Sequence, residues 1–258
     1  MMLETTPNRK YLFITNRDSC DVYVFELPQI RFLKRIKVQS GTAGIASTPD
    51  GKRLYVANEY SHTISIIDIN NLRLEMTLKI GHGPCVVVSS RSGKFIAVTC
   101  EESHNISIIN NSDLSVSHSI NICEGPLGLT ITPDDKELYT ADFLSNRIAC
   151  IDTENLKIKN YLEVGTVHIG IKCSLDGRYL FVSNSDSDYI SVVDVRNQKE
   201  IKTIKCQDSP SEFAISDAGD TLAVTNRASG TVSLIDIKRL KKFKDIKVGT
   251  NPLGIIFL

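Results

Sequence analysis

Apolar and polar residues alternate in short runs along the whole chain, and polar turns separate the runs. Thr63–Ile69 reads TISIIDI and Arg53–Asn58 reads RLYVAN. A period of two with many β-branched residues predicts strands that bury one face. The runs also repeat on a longer scale. TPDGKRLYVAN (Thr48–Asn58) returns as TPNRKYLFITN (Thr6–Asn16), TPDDKELYTAD (Thr132–Asp142), SLDGRYLFVSN (Ser174–Asn184) and SDAGDTLAVTN (Ser216–Asn226). Leu12, Leu54, Ile96, Leu138, Leu180 and Leu222 mark its centre, each 42 residues after the last. Thr42, Pro84, Pro126, His168, Pro210 and Pro252 form a second series with this step, and Glu26, Asp68, Asn110, Asp152, Asp194 and Asp236 a third. No insertion breaks the period, so no linker divides the chain and a single domain over residues 1–258 is expected.

Each period reads as four strands. In the stretch Thr42–Gly81, AGIAST is a short apolar run and PDGK a turn, followed by the strand RLYVAN and the polar loop EYSH. TISIIDI and LRLEMTLKI are the last two strands, joined by a turn at NN, and GHGP leads into the next period. Pro, Asp and Gly sit where turn geometry favours them. Four strands per repeat of this length predicts β-propeller blades, four-stranded and antiparallel, in an all-β fold. The chain has no Trp, so the WD40 signature is missing. The phrases LYVAN, LFITN, LFVSN and LAVTN, each between a PDGK-like turn and a TISIIDI-like strand, resemble the YVTN family of β-propeller repeats. The resemblance extends over essentially every period and implies a propeller. It implies little about function, because that family spans surface proteins, periplasmic proteins and relatives of several enzymes. Counting the repeats predicts six blades, closed by the C-terminal strand LGIIFL (residues 252–258 with Pro252) pairing into the first blade as its innermost strand. The rival expectation is a fragment of a seven-bladed protein.

Lys+Arg and Asp+Glu are both 30, so the net charge is zero. The basic excess of a nucleic-acid binder is absent. No apolar run is long enough to span a bilayer. MMLETTPNRK lacks the pattern of a signal peptide, so a cytoplasmic chain is expected, the alternative being export with the targeting segment absent from this chain. The seven cysteines form no CxxC and predict free, buried thiols. Two basic runs, Arg31–Lys37 and Lys238–Lys244, fall on predicted outermost strands, where they guard against edge pairing. The sequons at Asn105 and Asn110 matter only in a eukaryotic secretory pathway.

Residues repeated in every blade are expected to be structural. The aspartates ending SIIDI-like strands should bond backbone N–H groups of the next turn. Function should lie in what varies between blades, at the links from second to third strand and from fourth strand to the next first. His62, His82, His104 and His168 all fall there, with Glu101, Glu102, Glu124, Asp142, Asp186, Asp188 and Asp208 and with Arg17, Arg147 and Arg227. Imidazoles with carboxylates could hold a divalent ion or act as acid and base. His82, His104, Glu102 and Glu124 are the candidates for catalysis. His62, His168, Asp142, Asp186, Arg147 and Arg227 are the candidates for ligand binding. No ligand spacing of a known metal site is present, nor a Ser-His-Asp context, a phosphate loop or HExxH.

The expectation is therefore a non-catalytic binding or scaffold propeller, a monomer that presents a loop face to a protein or small ligand. It is expected to take no cofactor, although the donor set could hold a divalent metal. The alternative is a metal-assisted lyase or hydrolase with its site at the channel mouth.

Overall fold

The computed structural model describes residues 2–122, 125–165 and 168–258, apart from the side chains at 168 and 169. Six four-stranded antiparallel sheets follow one another, one per period, and the fold is an all-β six-bladed β-propeller. A 3-10 turn at Glu59–Ser61 is the one helical element among the described residues. Blade one contains the strands Leu3–Thr5, Tyr11–Asn16, Asp21–Glu26 and Arg31–Lys37. Blades two to six run over Thr42–Lys79, Pro84–Asn121, Pro126–Glu163, His168–Lys205 and Pro210–Lys247. No helix among the described residues is long and apolar enough to cross a membrane.

The innermost strand of blade one is not the one the repeat count predicted. Leu3–Thr5 pairs with the second strand in the register Leu3↔Ile14, Glu4↔Phe13, Thr5↔Leu12. Residues 252–258 carry no strand, so the C-terminal segment does not complete the first blade. Leu3 lies 42 residues before Ile45, which pairs with Val56 in blade two, and this was the signal in the sequence.

The chain forms two compact units, residues 1–126 with Leu258 and residues 127–257. In the first, Phe13, Val24 and Ile36 pack with Ile45, Leu54 and Val56, and Tyr55, Ile64 and Ile66 pack with Val87, Ile96 and Val98. In the second, Tyr139, Ile148 and Leu162 pack with Ile171, Leu180 and Val182, and Phe181, Ile190 and Val192 with Phe213, Leu222 and Val224. Each cluster joins two successive blades. Burial of one such side chain contributes roughly 1.5–3 kcal/mol, so the layers between blades hold each unit together.

The blades approach too closely for a side chain at some inner positions. A Cβ on Gly44 would lie 2.3 Å from the Cys85 carbonyl oxygen, and one on Gly170 would lie 2.1 Å from that of Ser211. The turn aspartates behave as the sequence predicts. Asp68 Oδ1 accepts the amides of Asn70 and Asn71 at 2.9 and 3.2 Å, and Asp152 Oδ1 those of Glu154 and Asn155 at 2.9 and 2.8 Å. They serve the turns and form no common site.

Candidate functional site

The link from second to third strand ends in a residue of positive φ in every blade. The series is Cys20, His62, His104, Asn146, Asp188 and Gly230, with φ of 55, 56, 52, 55, 56 and 66°. Asn, Asp, His and Gly tolerate this left-handed region best. The geometry turns the side chain toward the link that leaves the same blade. His62 Nδ1 accepts the amide of Gly83 at 3.1 Å, His104 Nδ1 that of Gly125 at 3.2 Å, and Asp188 Oδ1 that of Ser209 at 3.0 Å. Two imidazoles and a carboxylate thus do one job, satisfying an N–H that would otherwise lack a partner. Sequence reasoning missed this series because its residue types differ from blade to blade.

Blades two and three bring further side chains to one such link. The amide of Glu101 donates to the Gly83 carbonyl at 2.9 Å and that of Ser103 to the His82 carbonyl at 3.3 Å, while Ser103 Oγ accepts from the His82 amide. This lacing sets residues 82 and 102 side by side. His82 stacks on His62, with ring centroids 4.4 Å apart and an interplanar angle of 24°. Ligand atoms of His62, His82 and Glu102 all lie within 4.8 Å of one another. His62 is half-buried, and His82 and Glu102 are exposed. Burial raises the Glu59 carboxyl; Arg17 opposes the shift, and the charges of Glu101 and Glu102 add to it.

Of the four catalytic candidates, His82 and Glu102 meet. His104 is not in their cluster; its Nδ1 holds the Gly125 amide. Glu124 lies outside the described residues, as does the side chain of His168. His62 belongs to the cluster although the sequence placed it among ligand-binding residues. Asp142 is buried and engaged in its own turn, accepting the amides of Leu144 and Ser145 at 3.1 and 3.2 Å and the Ser145 hydroxyl at 2.6 Å. Asp186 is exposed. Arg147 lies over the Tyr161 ring at 5.0 Å and lines a groove of about 480 Å³ with Ser145, Asn146 and Glu163. Arg227 donates to Asn251 Oδ1 at 3.0 Å and lines a groove of about 830 Å³ with Ser209, Lys247 and Thr250.

The described cysteines form no disulfide. Burial pushes the Cys100 thiol up to about 11 and the Cys206 thiol up to about 12, and it raises Cys85 further still, with Glu59 and Glu101 adding. These groups stay protonated at neutral pH and are poor nucleophiles and metal ligands.

Comparison with known proteins sets these features in a family. A family model described as a YNCE-like beta-propeller matches residues 3–136, more than half of the chain. The chain belongs to the YNCE-like β-propeller family. No curated protein matches it. Among solved structures, a chain of hydrazine synthase from Kuenenia stuttgartiensis superposes with a TM-score of 0.90 at 19% identity, covering 99% of this chain and 88% of that one. A functionally unknown protein from Desulfotomaculum acetoxidans gives a TM-score of 0.83 at 14% identity, covering 99% and 89%. At these identities the likeness shows the fold.

A second family model, the Cytochrome D1 heme domain, matches residues 134–252 of this YNCE-like chain. That match overturns the expectation that the chain takes no cofactor, because it points to heme. Heme iron is held by His, Met or thiolate side chains, less often by Tyr. The matched segment has one histidine, His168, and no methionine. Its thiols Cys150, Cys173 and Cys206 are buried, and burial raises Cys150 as it does Cys206. The described histidine, methionine and cysteine side chains of the segment thus offer no ready ligand, which leaves His168 and the tyrosines as the residues that would hold a heme there.

Proposed function

We propose that this YNCE-like propeller is a non-catalytic binding protein that presents its blade links to a protein or small ligand. One observation carries the reading. At the left-handed link position His62, His104 and Asp188 hold backbone amides, while His82 and Glu102 are exposed and Arg147 and Arg227 line grooves. Exposed imidazole, carboxylate and guanidinium groups are recognition chemistry. The catalytic alternative named His82, His104, Glu102 and Glu124, and of these His82 and Glu102 meet, in a cluster with His62. The test is a thermal-shift screen of small anions, cations and heme against three proteins. They are the wild type, Arg147→Ala/Arg227→Ala at the grooves beside the links, and Lys34→Ala/Lys244→Ala on the outer strands. A ligand that binds the folded state raises the melting temperature. A rise lost only in the link variant supports the reading; a rise lost only in the outer-strand variant, or turnover of the ligand, contradicts it.

The match over residues 134–252 favours a second reading, in which the ligand is heme and His168 would hold it. Titration with hemin, followed by the Soret band, is expected to give a saturable shift that His168→Ala abolishes. An unchanged shift in that variant sinks the assignment. The unbroken 42-residue period supports one cooperative domain over 1–258. A single calorimetric transition with equal calorimetric and van't Hoff enthalpies is expected, and two separate transitions would contradict it.

A further inference from the structure

We propose that His62, His82 and Glu102 form an open three-ligand site for a borderline divalent cation of the Zn²⁺ type, and that loading it releases the Gly83 amide from His62. The proposal rests on the reading of the links as a binding surface and names one ligand class for it. Ligand atoms of the three side chains lie within 4.8 Å of one another; ligands about 2 Å from a common tetrahedral ion stand about 3.4 Å apart, so rotation of the exposed His82 and Glu102 side chains closes the site around the ion. Two imidazoles and one carboxylate suit Zn²⁺ better than Ca²⁺ or Mg²⁺, which prefer oxygen ligands alone. Three protein ligands leave at least one position open for water or a bound molecule. His82 and Glu102 are exposed, so a cation can reach them from solvent.

The release of Gly83 follows from imidazole chemistry. Nδ1 of His62 accepts the Gly83 amide at 3.1 Å, so the single proton of the neutral ring stands on Nε2. A cation at Nε2 displaces that proton to Nδ1, which then can no longer accept. A cation at Nδ1 replaces the amide directly. With either nitrogen the Gly83 bond is lost. His104 makes the same bond to Gly125 outside the three-residue cluster, so it is an internal control.

The test is isothermal titration calorimetry of the full chain with ZnCl₂, NiCl₂, CaCl₂ and MgCl₂. One Zn²⁺ site is expected, with Ca²⁺ and Mg²⁺ silent. His82→Ala and Glu102→Gln should each weaken Zn²⁺ binding at least about tenfold, while His104→Ala leaves it unchanged. Both test positions are exposed, and circular dichroism of each variant confirms folding. Absence of Zn²⁺ binding in the wild type, or binding indifferent to both substitutions, overturns the site. That failure is separate from failure of the binding reading, because a ligand stabilising the protein through Arg147 and Arg227 would still appear in the thermal screen.

Discussion

His62 in blade two and Asp188 in blade five occupy the same place in the repeat, and they show how one structural task can leave different chemistry behind. Both have a φ of 56°. Each accepts an amide of the departing link, Gly83 at 3.1 Å for His62 and Ser209 at 3.0 Å for Asp188. A carboxylate can accept several bonds without changing its state. A neutral imidazole has one lone pair to accept with and one N–H to donate. At His62 a second imidazole and a carboxylate come within reach, and among the described residues no such grouping surrounds Asp188. Blade two therefore couples its link to whatever the cluster binds, and blade five holds its link by the same bond alone.

The largest expected effects test whether the two blades are otherwise alike. Tyr55 and Phe181 are matching positions of the period, both fully buried. Tyr55→Ala and Phe181→Ala should each destabilise by roughly 3–5 kcal/mol, read from urea denaturation midpoints. Values differing by more than about 2 kcal/mol would break the equivalence of the two cores. Next come the links. Asp188→Ala removes a charged acceptor and should cost about 1.5–3 kcal/mol, and His62→Ala a neutral one at about 1 kcal/mol. The reverse order would show that His62 does more for stability than hold one amide.

A smaller effect concerns acid. The Asn71 side chain, with the amides of residues 70 and 71, holds the exposed Asp68 carboxyl below its ordinary value. The Thr132 hydroxyl and the Lys136 amide do the same for Asp134. A depressed folded value favours the folded state above the unfolded pKa of about 3.9. That contribution is lost as the pH falls from about 4 through the folded values. Stability should therefore decline below pH 4, and Asp68→Asn in blade two or Asp134→Asn in blade four should flatten the decline. An unchanged slope in both variants would contradict the assignment.

The fold was legible because period-two alternation and the 42-residue step survive in every blade, with Leu54 and Leu180 reading alike. The turn role of Asp68 and Asp152 was legible because local turn chemistry decides it. The inner strand Leu3–Thr5 was missed because three residues give too short an alternation, and LGIIFL offered a longer apolar run. The cluster was half legible. His82 and Glu102 stood out as chemistry at variable links, yet the sequence paired them with His104. What selects His62 is a left-handed backbone turn and the lacing of two neighbouring links, and neither leaves a residue-type signature.

Amide hydrogen exchange at Gly83, Gly125 and Ser209, without and with Zn²⁺, tests the coupling most directly. All three amides should be protected without the metal. With Zn²⁺, Gly83 alone should exchange faster, while Gly125 and Ser209 keep their protection. Equal protection of all three in saturating Zn²⁺ would contradict the coupling of the His62 link to the cluster.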